Sequence, residues 1–280
     1  MSQEVVDKKF SNHKMKIPDY DTLYFDSVDY PLTILDNQAE TDSIVIFLHG
    51  SPGSARDFLS FYTYEYGLND YRLIALERPG YSSASFGDFP VSLSKQVAPM
   101  LQYLERFSEE NSIFLVSHSY GGAPAGILAA QLPELIDGLL LGAVLIDPES
   151  EPVWWFNYIF DWRPFNWLLP EFFSMANKEK MNHASELKKI AQIWSNIECP
   201  VYVLHGSSDR IAPPGNIEFA RRKFIAHEQV HFEVVKDMNH LIQIQQQQRI
   251  AEGVRWLASQ LGILSFEKKI KFLRKNFDLT

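Results

Sequence analysis

Ile113-Phe114-Leu115-Val116-Ser117-His118-Ser119-Tyr120-Gly121-Gly122 is the stretch on which the reading of this chain turns. The apolar run predicts a buried strand over Ile113–Ser117, and Gly121–Leu132 repeats apolar residues at helical spacing. Ser119 then sits at a sharp strand-to-helix turn, which projects a hydroxyl above a sheet. Strand and helix collide there unless the residues two before and two after the serine are small. Ser117 and Gly121 meet that demand. The following helix N-terminus places backbone dipoles beneath any developing oxyanion.

Outward from this turn, more short apolar runs end in turn residues. Ile44–Leu48, Leu73–Leu76, Ala143–Ile146, Val201–Leu204 and Phe232–Val235 read as strands. Most are continuous rather than alternating, as expected when both faces of a parallel sheet are covered. Pro99–Phe107, Asn216–Phe224 and Leu241–Leu261 carry helical spacing. Strand alternating with helix predicts an α/β fold, a mostly parallel sheet flanked by helices. The segment Lys14–Leu35 alternates more and predicts antiparallel edge strands. The glutamine run Gln245–Gln248 reads as a solvated helix face.

From Glu149 to Asn196 the rhythm stops. Trp154, Trp155, Phe156, Trp162, Phe165, Trp167, Phe172 and Phe173 crowd one stretch, followed by a helix pattern through Leu187, Ile190 and Trp194. This predicts a helical insertion over 149–196, a cap on a core formed by 1–148 and 197–265. Trp154, Trp155, Phe156 and Trp162 are the candidates to line an apolar substrate pocket. Beyond the core, Phe266, Ile270, Leu273 and Phe277 predict a C-terminal amphipathic helix over 266–280, docked by its apolar stripe.

Three further motifs follow strands. His49-Gly50-Ser51-Pro52-Gly53 brings the Ser51 amide beside that of Tyr120, and two such donors form an oxyanion hole, worth about 3 kcal/mol each. His49 is expected to be structural. His205-Gly206-Ser207-Ser208-Asp209 puts Asp209 at the carboxyl edge of the sheet, where sites in open α/β folds gather. Met238-Asn239-His240 supplies the base. A serine is a poor nucleophile near neutral pH without a base, and the base needs a carboxylate to hold its tautomer. Ser119, Asp209 and His240 are the expected catalytic residues. His118 is expected to point away from the site and His183 to lie at the surface.

The four motifs together resemble the α/β-hydrolase superfamily over about Ile44 to Leu261. Glu77-Arg78-Pro79-Gly80-Tyr81-Ser82 resembles that superfamily's Asp-Arg-Pro-Gly-type segment, with Glu77 for the commoner Asp. Ser117 replaces the usual Gly. The resemblance implies a serine hydrolase working through an acyl-enzyme, without a cofactor. In the aromatic cap no basic residue clearly marks a site for a carboxylate, although Arg163 could bind an acidic group. The cap therefore points to a small or medium, uncharged and largely apolar carboxylic ester. The resemblance leaves open the other reactions of the same triad: C–C bond hydrolysis, aminopeptidase, thioesterase, acyltransferase or perhydrolase chemistry. A ligand-binding protein without turnover is a further alternative. It also makes Asp147, after Ala143–Ile146, a rival to Asp209, because some members carry the acid there.

Composition narrows the partners. A net charge of -9 argues against nucleic acid, whose phosphates need clustered Lys and Arg. The single cysteine, Cys199, reads as a small buried hydrophobe, and no Cys/His cluster has metal spacing. No apolar run is long enough to span a membrane. Met1–Phe10 is charged, with no apolar core of a leader, so a cytoplasmic location is expected.

Overall fold

The structure, a computed structural model, describes residues 18–162, 170–225 and 227–261. The expected C-terminal helix over 266–280, and Arg163, Phe165 and Trp167, lie outside the described residues.

The eight strands are β1 (Tyr20–Leu23), β2 (Leu32–Asp36), β3 (Ser43–Leu48), β4 (Arg72–Glu77), β5 (Ser112–His118), β6 (Ile136–Gly142), β7 (Val201–Gly206) and β8 (Val230–Val235). They form one sheet in the order β1-β2-β4-β3-β5-β6-β7-β8. β1 and β2 are antiparallel at one edge. From β4 across to β8 the pairing is parallel. β3 lies between β4 and β5, so the chain reverses its direction of travel across the sheet beside β5. Such a switch point opens a crevice at the strands' carboxyl ends.

Alternate residues of the central strands enter two separate cores. Ile44, Ile46, Ile113, Leu115, Val201 and Val203 pack on one face. Val45, Phe47, Phe114, Val116, Tyr202 and Leu204 pack on the other. Both faces are dry, which is why the strands read as unbroken apolar runs. Helices α1 (Leu93–Leu104) and α2 (Gly122–Gln131) cover the first face. A helical turn at Ala55–Tyr62 and a helix over 247–261, here α7, cover the second. Cys199 is buried in the first core, as its small apolar character predicts.

Three elements differ from the sequence expectation. β6 is Ile136–Gly142, and Ala143–Ile146 follows it as a buried loop beginning at Ala143 with φ 46°. Gly138 and Gly142 look like strand breakers, yet close packing calls for them here. A Cβ on Gly138 would sit 2.9 Å from the Phe114 ring, and one on Gly142 2.9 Å from the Ser117 carbonyl. α1 begins earlier than its apolar spacing suggests and keeps Pro99 in its interior. The single helix expected over Leu241–Leu261 is two, α6 (Ile242–Gln245) and α7, parted at Gln246 with φ -131°. Gln247 consequently turns inward and is buried, unlike the exposed Gln245 and Gln248.

Between β6 and β7, after a loop over 143–154, the described regular elements are helical: α3 (Trp155–Asp161), α4 (Glu171–Lys189) and a short turn at Ile193–Asn196. α5 (Gly215–Lys223) follows β7. α4 is fastened to the rest by polar side chains. Its buried stripe runs Met175, Glu179, His183, Glu186, Leu187, at helical spacing but with three titratable residues in it. Glu186 accepts the backbone N–H of Leu93 at 3.1 Å, capping α1 from a distance of 93 residues. Trp194 is buried against α2, where a Cβ on Gly126 would lie 2.6 Å from its ring.

Candidate active site

Ser119 stands at the end of β5 with φ 55°, a left-handed conformation that a non-glycine residue holds only under constraint. The constraint is close packing. A Cβ on Gly121 would be 2.5 Å from the Leu48 carbonyl oxygen, and one on Gly122 would be 2.5 Å from Val144. Ser117 takes the other small position, and its hydroxyl donates to the Leu140 carbonyl at 3.0 Å. That bond satisfies a polar atom buried between strands and explains why serine serves where glycine is usual.

Three loops converge on this turn. His240 Nε2 lies 2.8 Å from Ser119 Oγ, and His240 Nδ1 lies 2.8 Å from Asp209 Oδ2. An ionised carboxylate only accepts, so Nδ1 carries the proton and Nε2 is left to accept from the serine. Asp209 is buried. Burial alone pushes its carboxyl up, but the hydrogen bond and charge of His240 and the Ala212 amide outweigh it and hold the group below the usual range. The Ile211 and Ala212 amides donate to its other oxygen at 2.9 and 2.8 Å. Chemically, the carboxylate orients the imidazole and the imidazole can withdraw the serine proton. Asp147 is spent elsewhere: it accepts the Ser150 hydroxyl at 2.7 Å and the Glu149 amide at 3.1 Å.

The His49-Gly50-Ser51 loop abuts the same turn, since a Cβ on Gly50 would lie 3.0 Å from Ser119 Cβ. Ser51 and Tyr120 both face a cavity of about 320 Å³. His49 is buried, and its ring spans the loops. Its Nδ1–H donates to Gly50 O at 2.8 Å and its Nε2 accepts the Arg78 amide at 3.0 Å. Burial and the Arg78 charge drive its pKa well below that of a free imidazole, so it is a neutral strut, as expected. Beside it, burial pushes the Glu77 carboxyl up to about 8. One Glu77 oxygen accepts the Ala55 amide at 3.1 Å, and the other lies 3.4 Å from His49 Nε2.

Two histidines differ from expectation. His118 does not point away: its ring centroid is 4.9 Å from that of His240, and its Nε2–H donates to the His240 carbonyl at 3.0 Å. Burial and the neighbouring His240 lower its pKa to about 3, so it supports His240 while uncharged. His183 is buried, not at the surface, and stacks on the Tyr120 ring at 4.3 Å. Of the aromatic candidates, Trp154 and Phe156 line the cavity. Trp155 and Trp162 do not; they are 74% and 64% exposed. Consecutive residues on a helix face different directions, so a cluster in sequence is not a cluster on one wall.

Apart from Glu151, which with Glu149 is the nearby acid that the aminopeptidase alternative would use, the polar side of the cavity was not visible in the sequence. Glu151, Asn157, Asn177 and Lys180 line it together with Leu145, Phe160, Phe173 and Ile211. Nor was the ion pair behind it. Arg78 donates to both Glu179 oxygens, at 2.6 and 3.2 Å, to Gln96 at 3.1 Å and to the Gly50 carbonyl at 2.9 Å. Tyr81 donates to Glu179 at 2.6 Å and meets Ser51 Oγ at 3.0 Å. The available signal was the stripe of Glu179, His183 and Glu186 between Met175 and Leu187.

Among the described residues no His, Cys, Asp and Glu group could hold a metal, and no helix is long and apolar enough to cross a membrane. Residues 45–253 match the model of the Alpha/beta hydrolase family. A soluble variant of monoglyceride lipase from Saccharomyces cerevisiae superposes with a TM-score of 0.66 at 14% identity, covering 88% of this chain and 96% of that one. Epoxide hydrolase VrEH1 from Vigna radiata gives 0.65 at 13%, covering 88% and 99%. At such identities the likeness is one of fold. Norfluorocurarine synthase 2 of Strychnos nux-vomica is 26% identical over 74 residues, 26% of this chain and 28% of that protein. The match therefore spans little more than a quarter of that curated relative. The family model covers most of the chain, and the sheet order and the serine turn agree with it: this protein belongs to the alpha/beta hydrolase family.

Proposed function

We propose that the protein is a serine hydrolase that cleaves a small or medium, largely apolar carboxylic ester through an acyl-enzyme. Ser119 attacks the carbonyl carbon, His240 takes its proton, and Asp209 steadies the imidazolium that forms. The amides of Ser51 and Tyr120 hold the oxyanion. His240 then returns the proton to the leaving alcohol, and water activated by the same imidazole releases the acid. Residues 149–196 act as a cap whose aromatic wall excludes water from the reacting carbonyl.

The observation that carries this reading is the continuous relay from Ser119 through His240 to Asp209, with 2.8 Å at each step. A serine at this position also disfavours the aspartate-nucleophile chemistries that share the fold. Labelling with a fluorophosphonate tests it. Wild-type protein should be labelled at Ser119, hydrolyse medium-chain activated esters, and lose both properties in Ser119→Ala. A folded wild type that neither labels nor turns over any ester, amide or thioester would point to a ligand-binding protein instead.

A further inference from the structure

We infer that the cavity selects a substrate whose far end carries a hydrogen-bond-accepting oxygen, a carboxylate most strongly, and that Lys180 is the residue that reads it. The inference rests on the acyl-transfer reading above and departs from the uncharged acyl group expected from the sequence.

The reasoning is an account of donors and acceptors on the cavity wall. Ser51 and Tyr120, whose amides are the candidate oxyanion donors, are part of the lining. Leu145, Phe156, Phe160 and Phe173 supply apolar walls. The remaining polar lining is Glu151, Asn157, Asn177 and Lys180. The acceptors of the first three are already engaged. Asn157 Oδ1 accepts the Trp154 amide at 2.8 Å, and Asn177 Oδ1 accepts Asn157 Nδ2 at 2.8 Å. Asn177 Nδ2 returns to the Asn157 carbonyl at 3.1 Å. Glu151 takes Lys180 on one oxygen and His183 Nδ1–H, at 2.9 Å, on the other. Burial pushes the Glu151 carboxyl up, but these two partners more than offset it and keep it ionised.

Lys180 is different. An ammonium has three N–H donors and no acceptor. Among the described residues only Glu151 takes a hydrogen bond from it. The Lys180 side chain is 15% exposed and that of Glu151 only 1%, so the cation offers a ligand more surface than its counter-ion does. Nζ sits 5.4 Å from the Trp154 ring centroid, which holds the ammonium at the edge of the aromatic wall. A ligand oxygen reaching it would form a charge-assisted hydrogen bond away from bulk water, where such bonds are strongest. A ligand amine would meet the like charge of Lys180, whose ammonium already neutralises the Glu151 carboxylate. This disfavours the aminopeptidase alternative, which needs a free acid to grip the substrate amine.

Calorimetric binding of length-matched, medium-chain methyl ketones tests the subsite apart from turnover. The far ends are methyl, acetyl, carboxylate and ammonium. Wild type should bind the carboxylate about tenfold more tightly than the methyl compound, with acetyl between and ammonium weakest. In Lys180→Met the carboxylate-to-methyl ratio should fall to about one. Removing one partner strands a buried Glu151, so Lys180→Met/Glu151→Gln, which leaves no unpaired charge, should give the same ratio in a stable protein. Lys180→Arg should keep the preference. A wild-type ratio of one or less, tightest binding of the ammonium compound, or a preference that survives both methionine variants overturns the proposal. Selective binding without hydrolysis of the matching esters would sink the acyl-enzyme reading and leave the subsite standing.

Discussion

Arg78 and Glu179 face each other as a fully buried, two-pronged ion pair across 101 residues of sequence. The pair ties the loop after β4 to helix α4. Arg78 also holds the Gly50 carbonyl, one residue before Ser51, and stacks between Tyr81 and Tyr120 at 4.6 and 4.4 Å from their ring centroids. The segment that lines the cavity and the loop beside Ser119 therefore share one anchor.

Losing half of that anchor should be costly. Glu179→Ala leaves a guanidinium with no counter-ion in a dry site, and a loss of about 3–5 kcal/mol is expected. Urea unfolding of the variant beside wild type measures it. An exchange of both partners, Arg78→Met with Glu179→Leu, should recover much of the loss, because the desolvation cost of the ions disappears with their attraction. A Glu179→Ala variant as stable as wild type would mean that the pair contributes nothing.

The two candidate acids, Asp209 and Asp147, should separate by kinetics. Asp209→Asn removes the acceptor that holds the imidazole tautomer, and a drop in kcat of about 10⁴-fold is expected. Asp147→Asn touches only Ser150 and the Glu149 amide, so kcat should stay within a few-fold of wild type. The reverse pattern would reassign the acid.

Glu77 should make stability fall as the solution becomes more alkaline. Its carboxyl lies at about 8 in the fold against an ordinary 4.5. Between those values the folded protein keeps a proton that the unfolded chain has released. Unfolding free energy therefore declines through that window, by at most about 1.4 kcal/mol per pH unit, and levels off above it. Glu77→Gln keeps a neutral side chain at every pH, so it should flatten this slope and be more stable than wild type above pH 8. Asp209 and Glu151 act on the acid side. Their carboxyls are held below the ordinary range, so what they contribute is present above about pH 4 and is lost as the pH falls through their folded values. Thermal melts across the pH range, on wild type and Glu77→Gln, check both limbs.

Gly121 should tolerate no side chain. A Cβ there would stand 2.5 Å and 2.7 Å from the Leu48 and His49 carbonyl oxygens, and backbone cannot rotate out of the way. Gly121→Ala should push β3 from the serine turn, cost about 1–3 kcal/mol and lower ester turnover by moving Ser51. Full activity with an unchanged melting temperature would show that the turn has slack.

The amino-acid order determined by itself what depends on near neighbours. Unbroken apolar runs marked most of the strands, because a sheet covered on both faces demands them at every position. Small residues around Ser119, and Ser, Asp and His each following its own strand, marked the relay, because the turn has local steric requirements. What only the tertiary structure decided depends on partners far away in the chain. β6 lies over its two glycines because Phe114 and the Ser117 carbonyl press against them, and no local pattern reports that pressure. The titratable stripe of α4 reads as a solvent face in isolation. It is an inward face because Arg78, Tyr120 and the Leu93 amide wait opposite, and a charge can leave water only where such a partner already stands.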